Sequence, residues 1–525
     1  GGRAAPEIRA GPLGHITGIA YPPQPMDTPR THPGPRSLIP GPALALGGIL
    51  LLSLALNLWN NGFPLGYHRD EPKKVRFILE GRQDFHHPLM MLQQSRVVNR
   101  VLGLDEKQDV VALGRTLSGV NGTLTVLFLF LLARRRLGRG PALWAALAAA
   151  ASPILVVHAH YLKEDVLLTL FCTLTLYALS RFLDRPDRGP ALILGLSAGL
   201  AASSHFKAGF LFPVLAAAPI LGSFTDRRRL YRGLLLACAA AAAVFLAVNY
   251  PSLSGLRESR LLSGLDHDLR GILEGKEVQV HALPQLFTFH LRASLLPGMT
   301  WSAAAIGIVG TAAALWHWRT LEAFERALLL YLALFYFSVE ATPFKPYPDF
   351  MRYTMPLVPV LLYFGVRWAA SVPRSLPAVA GRLAGIAFLA LLIAAPLQAS
   401  LRLDYHLTRD TRAEAARQAQ ALGGRVVFGN YASAESHRML IDEDPDSLRA
   451  DGATHLCVAS FDYDRYFQAL SLPGQKAGTL ERARRYQALF RYPHVEIRPA
   501  YRSFAFSNPV IRILDIRSGP EKGPR

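Results

Sequence analysis

The chain has 525 residues, of which 51% are hydrophobic and only 18% charged, and it carries a formal net charge of +19. A soluble protein of this size carries about 25% charged residues, so the composition argues against an ordinary soluble chain. The basic excess is spread over many short segments rather than gathered on one run, which argues against nucleic acid as its partner.

Residues 1–40 lack apolar periodicity and read as a disordered cytoplasmic N-terminus. From there the chain alternates between stretches without Asp, Glu, Lys or Arg and short polar loops. The uncharged stretches are 37–68, 116–133, 140–162, 166–180, 189–206, 208–225, 233–256, 293–318 and 383–401. Most reach the roughly 18–20 residues that cross about 30 Å of hydrocarbon as a helix. Two shorter aromatic- and Leu-rich runs, 327–339 and 353–366, are completed by their flanks. The expected fold is a polytopic α-helical membrane protein with about 11 transmembrane helices over residues 41–400. The run 41–58 reads as a retained span rather than a signal peptide.

Arginines recur in every second loop: Arg134–Arg136 and Arg139, Arg181 and Arg185, Arg227–Arg229, Arg319 and Arg326, then Arg367 and Arg374. The positive-inside rule makes those loops cytoplasmic. An odd number of spans then leaves the long loops 60–113 and 251–292, and the C-terminus, on the outer side. Pieces 72–82 and 88–103 of the first loop have spacing compatible with short interfacial helices. Residues 401–525 change composition. "TRDTRAEAARQAQALGG" reads as a helix closed by Gly, "RVVFGNY", "THLCVAS" and "PVIRILDIR" as strands, and "LERARRYQALF" as another helix. That is a small extracytoplasmic α/β domain. Cys172 and Cys238 lie in apolar runs and Cys457 stands alone in the tail, so no disulfide framework or metal-ligand spacing is implied.

Under this topology the stranded polar groups share one face. They are Asp70 and Glu71 in "GYHRDEP"; His158, His160, Lys163, Glu164 and Asp165; His205 and Lys207; and Lys345, Asp349 and Arg352. Acids beside Lys and Arg at a membrane surface suit sugar transfer from a lipid-linked phosphate. A carboxylate takes the proton of an attacking hydroxyl, and cations neutralise the departing phosphate. Such a donor needs no nucleotide-binding motif, and none is present.

These residues also carry a resemblance. "YHRDEPKKVRFILEGRQDFHHPLM" resembles the first outer loop of the GT-C superfamily of membrane glycosyltransferases. The nearest groups are the bacterial protein O-mannosyltransferase and lipid A aminoarabinose transferase families. Here "HHPL" stands for their Pro-containing stretch, with His87 in place of the first Pro. "LGRTLSGVNGTLTVLFLFLLARRRLG", "SPILVVHAHYLKEDVLLTLF", "GLAASSHFKAGFLFPVLAA", "NYPSL" and "DFMRYTMPLVPVL" are similar to later family segments, and "RDTRAEA" to the tail of bacterial members.

The resemblance implies an inverting transferase that uses a polyprenyl-phosphate-linked sugar at the outer face of the bacterial cytoplasmic membrane. Its acceptor would be a protein, lipid or glycan hydroxyl. Asp70 would be the catalytic base with Glu71 beside it, and Lys207 and Arg352 would grip the donor phosphate. Asp165, Glu164 and His160 would support the site or hold a metal; a divalent cation, Mg or Mn, is the one cofactor left open.

Plainer readings stand beside these. Asp165 suits a helix N-terminus, Lys207 and Arg352 suit snorkelling at span ends, and His158 and His160 suit interfacial packing. The rival functions are a lipid or sugar transporter or flippase, and a receptor whose business end is the tail. A receptor predicts that Asp70→Asn is silent while loss of 401–525 abolishes function.

Overall fold

The computed structural model describes residues 41–83, 86–253, 260–275, 279–346, 351–436, 438–501 and 507–520. The expected disordered segment 1–40 and Asp349 lie outside the described residues.

The uncharged runs fold as helices. Glu164–Asp184 is the most deeply buried of the long ones and packs on Lys107–Leu137 and Arg188–Ser204. Arg188–Ser204 in turn packs on Arg227–Leu253. That last approach depends on small residues: a Cβ on Gly195 would lie 2.3 Å from the Ala237 carbonyl oxygen, and one on Gly199 2.7 Å from that of Ala241. In lipid, helices gain little from hydrophobic transfer, so close backbone packing of this kind is what holds them.

Among the described residues, 5 helices are long and apolar enough to cross a membrane, or up to 7 if two bent pairs each count as one span. The bent pairs are Arg139–Ala150 with Pro153–Ala159, at 54°, and Leu291–Met299 with Trp301–Trp316, at 111°. Shorter apolar helices run Ala43–Leu58 and Phe206–Ile220. The 11 expected spans are thus not all long, unbroken helices. Ser152, ahead of Pro153, is extended, because the proline ring disfavours helical backbone in the residue before it. Thr300, at the second bend, has a φ of 65°.

The loop 60–113 carries helices Glu71–Leu79 and Met90–Leu102, close to the two expected there. A short antiparallel pair, β1 (Gln279–His281) and β2 (Phe344–Pro346), ties the second long loop to the chain ahead of Arg352. The tail holds β3 (Arg425–Phe428), β4 (Ala453–Ala459), β5 (His494–Ile497) and β6 (Ile511–Asp515), in the order β3-β4-β6-β5. The β3–β4 pair is parallel and the other two are antiparallel. Helices Thr411–Leu422 and Ala477–Leu489 fall where the sequence places them. Helix Ser460–Leu470 and strand β5 are additions that short or polar patterning hides.

Candidate active site

Asp70 is the residue before helix Glu71–Leu79, and Pro72 follows at a position where a missing N–H costs nothing. The same chain reversal aims Asp70 and Glu71 in different directions. Glu71 is fully buried. Arg115 Nη2 donates to its Oε2 at 2.6 Å and Nε to its Oε1 at 3.1 Å, while the Leu162 amide donates to Oε1 at 3.0 Å. Arg115 also donates to the carbonyl oxygens of Asn61 and Phe63, and its guanidinium lies 3.5 Å from the centre of the Phe63 ring. Every oxygen of Glu71 is therefore occupied.

Asp70 is different. Its side chain is 47% exposed and yet sits deep within the protein, the signature of a recess rather than a surface. Lys163 Nζ donates to its Oδ2, and its own amide donates to His68 Nδ1 at 3.3 Å. Desolvation alone would push the Asp70 carboxyl up. The positive charges of Lys163, Arg352 and Lys74 outweigh it and hold Asp70 well below the usual carboxylate range. His68 is pushed well down by burial, so it stays neutral at pH 7.

Around this pair the other expected residues converge. Lys74 Nζ, one turn along from Asp70, donates to Glu164 Oε2 at 2.7 Å and to the Leu162 carbonyl oxygen at 3.1 Å. Burial pulls Lys74 down to about 8, with the Glu164 charge opposing. Asp165 Oδ2 lies 3.5 Å from Arg352 Nε. Lys207 Nζ lies 3.3 Å from the centre of the Tyr353 ring, beside Arg352 in sequence, so both cations border one aromatic ring. His160 joins none of these acids. Its ring nitrogens sit 2.9 Å from the Val156 and 3.0 Å from the Trp59 carbonyl oxygens, with Asp404 Oδ1 3.7 Å away.

The acids do not form a metal site as arranged. Among the described residues there is no group of three or more His, Cys, Asp or Glu side chains placed to share an ion. Glu71, Glu164 and Asp165 each face an Arg or Lys instead. Lys74, Lys163, Lys207 and Arg352 together outnumber Asp70, Glu164 and Asp165 by one charge, with Glu71 and Arg115 cancelling. That excess suits a singly charged phosphodiester.

Sequence reasoning set Lys163 among the outer-face polar groups without giving it a role, and it passed over Arg115 and Lys74. Arg115 had a signal: an ionisable residue at the mouth of an apolar helix is a functional candidate by default. Lys74 follows Asp70 by four residues on one helix, a spacing that puts both on one face.

Residues 86–253 match the family described as dolichyl-phosphate-mannose-protein mannosyltransferase, less than half of the chain. No curated protein sequence matches it. In structure the chain is similar to an oligosaccharyltransferase from Archaeoglobus fulgidus in the apo form, at 12% identity and a TM-score of 0.57, covering 87% of this chain and 73% of that one. It is also similar to ArnT from Cupriavidus metallidurans bound to undecaprenyl phosphate, at 15% identity and a TM-score of 0.51, covering 90% of this chain and 98% of that one. A further likeness is to archaeal AglB from Archaeoglobus fulgidus in complex with an inhibitory peptide and a dolichol-phosphate, at 11% identity and a TM-score of 0.56. The chain thus shares the fold of these solved structures, and its segment 86–253 matches the mannosyltransferase model.

Proposed function

We propose that this GT-C chain is an inverting glycosyltransferase that moves a sugar from a polyprenyl-phosphate donor to an acceptor hydroxyl, with Asp70 as general base. The observation that carries the reading is the asymmetry of the acid pair: Glu71 is sealed by Arg115 and Leu162, whereas Asp70 alone opens into a cation-lined recess.

In this reading the acceptor oxygen attacks the anomeric carbon from the face opposite the phosphate. The bond from that carbon to the phosphate oxygen breaks, and the electron pair leaves with the phosphate. The acceptor proton passes to Asp70 Oδ. Lys207 and Arg352 hold the phosphate through charge-assisted hydrogen bonds as its charge grows. Glu71 orients the loop and takes no proton. Asp165 sets the Arg352 guanidinium, and Glu164 sets Lys74.

The eleven-span topology, with the site and tail on the outer face of the bacterial cytoplasmic membrane, belongs to the same reading. The family match and the undecaprenyl phosphate and dolichol-phosphate bound by the structural neighbours support it. A transporter is disfavoured because the ionisable groups gather around one recess at helix ends, whereas transporters place them near the bilayer midplane.

Full-length protein purified in native lipid tests this through its co-purified lipids and through binding of added undecaprenyl phosphate. The expected result is a glycosyl polyprenyl phosphate in the lipid extract and saturable undecaprenyl phosphate binding that Arg352→Ala weakens. Absence of both across several preparations contradicts the donor class.

A further inference from the structure

We infer that the tail domain is part of the catalytic unit, and that Arg412 is the positioning residue through which it holds the segment bearing Asp70. The inference builds on Asp70 being the base and extends to what keeps it in place.

Arg412 lies in the "RDTRAEA" stretch at the start of helix Thr411–Leu422 and is 2% exposed. Its Nε and Nη2 donate to the two oxygens of Asp410 at 2.8 and 2.7 Å. Its Nη1 leaves the tail and donates to the Tyr67 carbonyl oxygen at 2.9 Å, and the guanidinium stacks 3.9 Å from the centre of the Tyr67 ring. Asp410 is itself fixed. It caps the helix by accepting from the Arg412 amide at 2.9 Å, and it accepts from the Asn508 amide at 2.8 Å. The fork is thus anchored before it reaches across.

Two more contacts close the same seam. Arg69 Nη2 donates to the Ser433 carbonyl oxygen at 2.7 Å, and its guanidinium lies 5.5 Å from the Tyr431 ring centre. Gly66, at φ +97°, passes so close that a Cβ there would lie 2.2 Å from the Ala434 carbonyl oxygen. Phe63, Tyr67, Val157, Tyr161, Leu403 and Leu407 form one apolar cluster beneath, with Ala434 of the tail packed on it.

The direction of contact switches once along the loop. Residues 66, 67 and 69 are held by the tail, while Asp70, Glu71 and Lys74 are held by Lys163, Arg115 and Glu164 of the helical bundle. Asp70 is the first residue past the tail's grip, so a shift of the tail loop moves the base directly. A misplacement of about 1 Å at a reacting group costs on the order of 100-fold in rate.

Hydrogen exchange by mass spectrometry on the full chain in lipid nanodiscs tests this with Arg412→Ala, Arg412→Lys and Gly66→Ala. Gly66→Ala disturbs the seam from the loop side and leaves the fold of the tail alone, which covers the case where Arg412→Ala fails to fold. The expected result is exchange over residues 63–71 faster by about tenfold, the equivalent of one charge-assisted hydrogen bond, with exchange over β4 and 164–184 unchanged. Undecaprenyl phosphate binding stays within about twofold of the parent, sugar transfer falls with the donor KM unchanged, and Arg412→Lys falls between. Unchanged exchange over 63–71 in both Arg412→Ala and Gly66→Ala overturns the inference, as does equal loosening of β4. Full transfer by Asp70→Asn would sink the base assignment and leave the exchange result standing.

Discussion

Lys163 and Asp70 form an ion pair in which the amine is almost wholly buried and the carboxylate half open, at 7% and 47% side-chain exposure. A base locked to a cation is a weak base, so the pair must loosen when the donor phosphate arrives and competes for the amine. The pair also sets the acid limb of the rate profile. Against desolvation, which would raise it, Lys163 with Arg352 and Lys74 holds Asp70 well below its ordinary value. Lys163→Met removes the nearest cation, and the acid limb of kcat/KM moves to higher pH. An unmoved limb contradicts the assignment. The same sign applies to stability: the contribution of the pair is present above the unfolded carboxylate value of about 3.9 and is lost as pH falls through the folded one.

In the proposed mechanism Arg115 and Glu71 carry stability rather than chemistry. Removing one partner of a buried ion pair leaves the other charged and unsolvated, at a cost of about 3–5 kcal/mol. Arg115→Met therefore lowers the thermal unfolding temperature of the detergent-solubilised protein, while Asp70→Asn leaves it near the parent value. Equal melting of Arg115→Met and parent removes Glu71 from its positioning role.

Lys207 and Lys345 separate donor binding from folding. Lys345 is fully buried on Glu340, 2.7 Å away, and works structurally. Lys207 borders the face of Tyr353 beside Arg352. Lys207→Ala weakens undecaprenyl phosphate binding by about tenfold or more, the worth of a charge-assisted hydrogen bond. Lys345→Met lowers stability, with binding kept in whatever fraction stays folded. Isothermal titration in nanodiscs reads both, and unchanged affinity in Lys207→Ala contradicts its role.

In the tail, desolvation pushes Asp462 up to about 6, with amide donation from Ala459 and Tyr431 opposing. A carboxyl raised in the folded state gives stability that is full below its unfolded value and is lost as pH rises through about 6. Asp462→Asn keeps an acceptor for those amides and stabilises the protein at pH 7.5 by up to ~3 kcal/mol, with little effect at pH 3, below the unfolded value of about 3.9. Thermal melts at the two pH values check this, and a gain equal at both contradicts it.

Much of this was legible in the chain because lipid imposes simple rules. Uncharged runs forecast the helices, and short loops forecast that Asp70, Asp165, Lys207 and Arg352 would meet. Apolar continuity hid the breaks at Ser152, ahead of Pro153, and at Thr300, whose φ is 65°, because the hydropathy run continues through both. The split between Asp70 and Glu71 was half visible: order along the chain separates them, but only three dimensions bring Arg115 and the Leu162 amide onto one and not the other. His160 shows the opposite failure. The resemblance grouped it with Glu164 and Asp165, whereas the short helix Pro153–Ala159 turns it toward Trp59 and Asp404. The hold of the tail on Tyr67 joins residues 345 apart, a separation that local patterning does not encode. It also changes what deleting 401–525 means. Loss of function on deletion no longer favours a receptor, since the deletion frees the loop that carries Asp70.

The most direct test of the central claim is transfer by Asp70→Asn in proteoliposomes carrying a radiolabelled polyprenyl-phosphate sugar. The predicted result is a fall of about 10²–10⁴-fold, the usual worth of a general base, with undecaprenyl phosphate binding and melting temperature kept. Transfer at the parent rate would contradict it.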